Sequence, residues 1–307
     1  GGERYFGLIS PTASATKSVT CQKLFQKNRG LLDILVYAMD QSDPVGFFCY
    51  SRLTDQGATT AINCAVLKND LLEQQDVIFI ANNSSWKDVH FGCRLAIVDD
   101  HLYVSLGERG DRHAAQNLQS HSGSVVRINL DGSIAHTIPQ QSGWRPEILT
   151  KGHRNPQGMA VNPRTGEVWV NEHGPKGGDE INILRAGANY GWPLLTFGKE
   201  YAGGPVGEGK SAAPGYADSI WHWTPSIAPS GMAFYQGDMF PEFSGDLLVS
   251  SLKFRSLYRK VLEHEKLIRE SIIVKNKIGR IRDIEIAPDS NTLILSDEDQ
   301  GGLYRLS

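Results

Sequence analysis

One unit recurs along this chain and limits what it can fold into: an apolar strand, a tight polar turn, then a second apolar strand. It reads LAIVDDHLYVSLG from Leu95, MAVNPRTGEVWVNEHG from Met159 and IEIAPDSNTLILSDEDQG from Ile284, with a looser copy, GMAFYQGDMFPEFSGDLLVSSLK, from Gly231. Apolar and polar residues alternate on both sides of each turn, the period of a half-buried strand. The turns supply Asp, Asn, Pro and Gly, which suit tight reversals of the backbone. Such units, separated by several tens of residues, predict a repeat architecture. With strands alone, the repeat that fits is a β-propeller in which each hairpin is the middle of a four-stranded blade. A β-sandwich also uses short strands but does not call for a recurring motif. Loops between blades gather on one face around the axis, so polar residues at strand ends converge there.

Composition narrows the remaining choices. The 307 residues are 40% hydrophobic and 21% charged, a globular balance that supports a substantial core, and one propeller domain spanning 1–307 is expected. The net charge of -3 and the scattered basic residues exclude a nucleic-acid footprint. No apolar run reaches the ~18 residues of a membrane span, and LLDILVYAM, from Leu31, reads as a buried strand. Gly1–Gly2–Glu3 carries no signal peptide. The stretch Tyr258–Ile273 is compatible with an amphipathic helix, but its β-branched residues favour strand, charged turn and strand. Residues 201–217 are Gly-, Ala- and Pro-rich and predict a long surface loop. The four cysteines show no zinc-binding spacing; buried free thiols are the expected state. Export would leave room for one disulfide among Cys21, Cys49 and Cys64, with Cys93 beside the suspected site.

Candidate chemistry concentrates between Gly152 and Pro193. His90, in KDVHFGCRL, stands where a strand starts, with Gly92 permitting close approach; a neutral imidazole suits proton acceptance near neutral pH. Arg154, Asn155 and Gln157, in GHRNPQGMA, combine a carboxylate-binding guanidinium with orienting amides, although bracing of a loop explains them equally well. EHGPKGGDEIN, from Glu172, offers backbone carbonyls beside Asp179 and Glu180, a donor set for a hard cation such as Ca²⁺; the plainer alternative is a solvated acidic turn. Lys253 ends one strand, and Arg280 and Arg282 alternate at the start of another. Taken singly they are ordinary surface charges. Brought together at an axis with Arg154 they form a pocket for a polyanionic ligand.

The motifs HFGCRL, GHRNPQGMA, NEHGPKGGDEIN, ANYGWP, APSGMAFY, SSLK and RIRDIEIAPD, in this order from about Gly30 to the end, resemble the soluble quinoprotein glucose dehydrogenase and aldose sugar dehydrogenase family. The resemblance implies a six-bladed β-propeller, with room for one incomplete or irregular blade at the N-terminus. It implies pyrroloquinoline quinone (PQQ) and Ca²⁺ on the axis, and a periplasmic or secreted location. Residue by residue, it makes His90 the catalytic base and Arg154 a catalytic and quinone-contacting cation. It makes His173, Ser226, Lys253, Arg280 and Arg282 further quinone contacts, flanked by Asn155 and Gln157, with Asn28 where relatives carry Gln. The carbonyls of Gly174 and Pro175 match the catalytic Ca²⁺ ligands; Glu180 and the carbonyl of Tyr190 match a second, structural Ca²⁺ site. Val89 stands where relatives have a polar residue, and Cys93 replaces a small residue. The implied reaction is oxidation of an aldose to a lactone, with an unidentified electron acceptor, in a monomer or homodimer. Two rivals stay open: a non-catalytic propeller acting as a binding module, and a Ca²⁺-dependent lactonase.

Overall fold

The structure is a computed structural model that describes residues 6–8, 28–38, 43–69, 71–135, 143–263, 266–297 and 301–306. They form five four-stranded antiparallel sheets and no α-helix. The first sheet runs β2 (Asn28–Tyr37), β3 (Val45–Thr54), β4 (Gly57–Lys68) and β5 (Leu71–Ile80). The second runs β6 (Gly92–Val98), β7 (His101–Leu106), β8 (Ser124–Asn129) and β9 (Ile148–Lys151). The third holds β10 (Pro156–Val161), β11 (Val168–Glu172), β12 (Asp179–Ile183) and β13 (Trp221–Trp223). The fourth holds β14 (Pro229–Phe234), β15 (Leu247–Ser251), β16 (Ser256–Glu263) and β17 (Lys266–Lys275). The fifth is composite: β18 (Ile281–Ile286), β19 (Thr292–Ser296) and β20 (Gly302–Leu306) are completed by β1 (Phe6–Leu8), which pairs with β20.

The recurring hairpins were expected in the middle of each blade; they are instead its first two strands, because two further strands follow each hairpin on the same side. Asp99 and Asp100 turn β6 into β7 with φ of 48° and 57°, the two-residue left-handed turn that matches strand twist. Between β10 and β11, Asn162 Oδ1 accepts from the Arg164 amide at 3.0 Å and closes an Asx turn. Alternation along each strand buries one residue against each neighbouring sheet. Leu95 and Val104 pack against Phe47 and Ile62 of the first sheet, whereas Ala96 and Val125 pack against Met159 and Val170 of the third. Trp169 and Ile181 meet Met232 and Val249; Leu248 and Leu257 meet Ile281 and Ile294. Apolar layers of this kind hold the five sheets in sequence around an axis.

Six blades were expected, and the described residues account for five. The fifth sheet joins the first described strand to the last, because β1 pairs with β20 and completes it. Leu31, Ile34 and Val36 of β2 are exposed, while Leu32 and Leu35 pack against the second sheet, so the strand expected to be buried is covered on one face only. Leu295 and Leu303 of the fifth sheet are exposed as well. A cavity of about 510 Å³, lined by Leu31, Ile34 and Leu295, separates the first and fifth sheets. Across its floor Arg94 of β6 ties the sheets together. Its guanidinium contacts Asp283, reaches Asp33 at 3.3 Å, and donates to the carbonyls of Gln157 at 2.6 Å and Arg282 at 3.3 Å.

Other expectations resolve clearly. Tyr258–Ile273 is two paired strands, β16 and β17. Cys49 and Cys93 form a disulfide, so the thiols are not all free and the pairing joins the first sheet to the second. The partner is Cys93 rather than one of the first three, because sequence distance says nothing of which strands face each other. Cys64 is free, and Cys21 lies outside the described residues.

Candidate functional site

The inner strand of each sheet starts at the same end of the molecule, and the second strand of each hairpin finishes there. That geometry gathers residues distant in sequence. His90 precedes β6, Arg154 and Asn155 precede β10, and Ser226 precedes β14, whereas the turn residues His173 to Gly177 follow β11 and Lys253 follows β15. All of them line one cavity of about 780 Å³, together with Gly174 and Pro175. Glycines permit the crowding. Gly92 has φ of +77°, where a Cβ would stand 2.6 Å from the Ser105 carbonyl oxygen, and a Cβ on Gly158 would overlap the Ser230 carbonyl.

His90 is oriented by a residue that the sequence did not flag. Its Nδ1 donates a short hydrogen bond to Glu108 Oε1, and the Glu108 side chain is 3% exposed. A carboxylate only accepts when ionised, so Nδ1 carries a proton, and in the neutral imidazole the lone pair is then on Nε2. Glu108 Oε2 has no partner, so the carboxylate is committed to the imidazole. The only signal in the sequence was an acid one residue past the glycine that ends a hairpin, in SLGERG.

Arg154 is buried. Its Nη1 donates to the carbonyls of His173 at 3.1 Å and Gly174 at 2.8 Å, its guanidinium lies 5.3 Å from the Trp192 ring, and its buried Nε is unpartnered. His173 donates from Nε2 to the Pro229 carbonyl at 2.7 Å; burial and the nearby Arg154 charge push its pKa down to about 4, so it is neutral. Ser226 Oγ accepts from the Gly177 amide at 2.9 Å and donates to the Pro175 carbonyl at 3.3 Å. Lys176, Lys199 and Tyr201 also line the cavity and had not been singled out.

Three predicted residues stand elsewhere. Gln157 and Arg282 line the cleft between the first and fifth sheets, and Arg280 lines neither cavity. Arg280 and Arg282 do share a side, but Asp297 partly neutralises both, accepting from Arg280 Nε at 2.9 Å and from Arg282 Nη2 at 2.5 Å. Pairing across a hairpin cannot be read from alternation. Arg282 still reaches the main cavity indirectly: Nη1 donates to Gln157 Oε1 at 3.3 Å, and Gln157 Nε2 donates to Asn155 Oδ1 at 3.2 Å. The side chain of Asn28 lies outside the described residues.

The oxygen donors divide into two places. Gly174 and Pro175 present carbonyls at the cavity wall. Asp179 borders the same cavity, but backbone amides take up its carboxylate: Oδ1 accepts from the Gly174 amide at 2.9 Å, and Oδ2 from the amides of Ile227 at 2.7 Å and Ala228 at 2.8 Å. It shapes the turn, so the pairing of Asp179 with Glu180 as joint cation ligands does not hold. Glu180 and Tyr190 border a separate void of about 10 Å³ beside Glu172. Burial, and then repulsion from Glu172, raise the Glu180 pKa well above the usual carboxylate range, while the buried Asn182 Oδ1 has no partner. Two crowded carboxylates beside a small void fit a divalent cation. Among the described residues, no three His, Cys, Asp or Glu side chains converge as metal ligands. For the main cavity, the cationic wall and the unpartnered Arg154 Nε fit a polyanionic ring, and the volume leaves space for a second small molecule.

Residues 9–305 match the family model for glucose/sorbosone dehydrogenase. The aldose sugar dehydrogenase YliI of Escherichia coli K12 is 37% identical over 285 residues, covering 91% of this chain and 77% of that protein. Quinoprotein glucose dehydrogenase B of Acinetobacter calcoaceticus is 26% identical, covering 77% of this chain and 64% of that protein. A crystal structure of a glucose dehydrogenase superposes with a TM-score of 0.87 at 35% identity, covering 92% of this chain and 83% of that one.

Proposed function

The chain belongs to the glucose/sorbosone dehydrogenase family, and from that premise we propose that it oxidises aldose sugars to lactones with PQQ as acceptor and Ca²⁺ beside it. The observation that carries the proposal is the meeting of His90, Arg154 and Lys253, from three different sheets, in one cavity. Bound PQQ supplies a two-electron acceptor bearing three carboxylates, and bound Ca²⁺ supplies a Lewis acid. Lys253 and Arg154 attract and orient the anionic ring, with Asn155 fixing its edge; Gln157, outside the cavity, braces Asn155 and links it to Arg282. The carbonyls of Gly174 and Pro175 are the proposed catalytic cation ligands; Glu180 and the Tyr190 carbonyl are the proposed structural ones. His90 Nε2 takes the proton of the anomeric hydroxyl, and Glu108 stabilises the imidazolium that results. Arg154 stabilises negative charge that gathers on oxygen at the buried end of the cavity. His173, kept neutral by burial, adds no competing proton.

The Cys49–Cys93 disulfide supports the periplasmic or secreted location. No helix among the described residues is long and apolar enough to cross a membrane. The cleft between the first and fifth sheets supports a six-bladed ring: a further sheet seated there would bury Leu31, Ile34, Val36, Leu295 and Leu303. A solution scattering profile fitted by five sheets alone overturns that count. The lactonase alternative is disfavoured because the inner-strand carboxylates Asp33 of β2 and Asp283 of β18 are engaged by Arg94 rather than open to a metal. The binding-module alternative has no need of the His90–Glu108 pair.

Reconstitution with PQQ and Ca²⁺, followed by dye reduction across a set of aldoses, tests the reading. Sugar-dependent dye reduction is expected. His90→Ala should lower turnover by about two to four powers of ten while PQQ titration is unchanged, as for loss of a general base. Undiminished turnover in that variant removes His90 from the mechanism.

A further inference from the structure

The rim of the cavity carries a feature that neither the cofactor nor the base uses. Residues 199–204 fold back as a small hairpin. Lys199 and Lys176 exchange backbone hydrogen bonds, each at 3.1 Å, and Glu200 and Gly204 close the turn with a bond of 3.1 Å. A second tether comes from outside the loop: Arg112 grips both Glu200 carboxylate oxygens, at 2.5 and 3.2 Å. The base of the hairpin is therefore anchored on two sides. At its tip Tyr201 is 69% exposed, yet it lines the same cavity as His90.

An aromatic ring left in water costs free energy unless something covers it, and a rigid support makes such a ring a ready contact surface. The other carbocyclic ring in the cavity wall, Phe197, is already covered: it stacks on His222 at 3.8 Å between centroids and 3° between planes. Tyr201 has no ring partner among the described residues. Its neighbours at the rim, Lys176 and Lys199, are hydrogen-bond donors. An apolar ring face flanked by donors matches one ligand chemistry well. A pyranose presents C–H groups on one face, which the negative face of an aromatic ring attracts, and hydroxyls around its edge.

We propose that Tyr201 is the platform on which the sugar ring of the substrate stacks, opposite His90, with Lys176 and Lys199 donating to its hydroxyls. The inference rests on the aldose dehydrogenase reading above and adds a specificity residue to it. The hairpin sets affinity for the ring; His90 sets the chemical step.

The test uses the full chain reconstituted with PQQ and Ca²⁺. Tyr201→Ala, Tyr201→Phe and the unaltered protein are compared by dye reduction with a pyranose aldose and with glyceraldehyde, which is too short to close a ring. Tyr201→Ala should raise KM for the pyranose about tenfold with kcat unchanged, whereas Tyr201→Phe, which keeps the ring face, should match the unaltered protein. KM for glyceraldehyde should not move if it is turned over. If Tyr201→Ala leaves the pyranose KM unchanged, or raises KM for both substrates equally, the platform is refuted while the dehydrogenase reading stands. If the unaltered protein oxidises no aldose, that reading fails first, and the platform falls with it.

Discussion

Replacing Glu108 with Gln isolates the contribution of a residue that touches the base but not the substrate. The Glu108 side chain is 3% exposed and bonds His90 Nδ1 through Oε1, while Oε2 has no partner. Glutamine keeps the size and removes the charge. Two losses follow. The imidazolium formed on proton transfer loses a charge-assisted hydrogen bond, worth about 1.5–3 kcal/mol in such settings. The amide can also flip and donate to Nδ1, which moves the ring proton to Nε2 and removes the lone pair that faces the cavity. The first effect alone lowers kcat about 10- to 150-fold, at 1.36 kcal/mol per tenfold. Because Glu108 touches no substrate, KM should hold, and because the cationic wall is intact, PQQ titration should too. Initial rates of dye reduction over a range of aldose concentrations separate kcat from KM, with thermal melts confirming the fold. A Glu108→Gln enzyme with unaltered kcat refutes the claim that this carboxylate tunes the base.

Two further predictions concern stability. Lys260 is fully buried between the rings of Trp221, at 3.4 Å, and Trp223, at 4.3 Å, and pairs with Glu270 at 2.5 Å; burial nevertheless pushes its pKa down to about 7. The unfolded chain then binds more protons than the folded one from about pH 7 up to the ordinary lysine value, so this group makes stability rise with pH across that window, by up to a few kcal/mol. Lys260→Met should flatten the rise in urea midpoints between pH 7 and pH 10; a slope equal to that of the unaltered protein counts against the assignment. The Cys49–Cys93 disulfide closes a segment with a sequence separation of 44, and reducing it should lower unfolding stability by about 2–4 kcal/mol in the same assay. A midpoint indifferent to reductant would mean the bond contributes nothing.

The parts of this molecule that were legible in its sequence are those governed by local physics. Asp99–Asp100 and Asn162–Gly166 announced their turns because left-handed backbone and Asx geometry select those residue types. The hairpin of β16 and β17 was readable from β-branched residues alone. Arg154 and Lys253 could be placed near one another because strand ends in a propeller share a face, whereas Arg280 and Arg282, expected with them, line other surfaces. What stayed hidden depends on contacts between distant segments. Asp297 answers Arg280 and Arg282 across a hairpin, Glu108 answers His90 across another, and Cys93 meets Cys49 across a sheet boundary. None of those pairings has a local signature, because spacing along the chain does not say which strands will adjoin. Lys260 was concealed for the same reason: its two tryptophans lie on β13, in a neighbouring sheet.

Arg94 reaches from β6 to groups on β2, β10 and β18 with a single side chain. A guanidinium so shared works as an axle pin. Each bond needs only its own partner strand, but the full set needs all four, so the last of them to dock completes it. A half-built ring would therefore hold only part of the set that fixes the spacing of these strands.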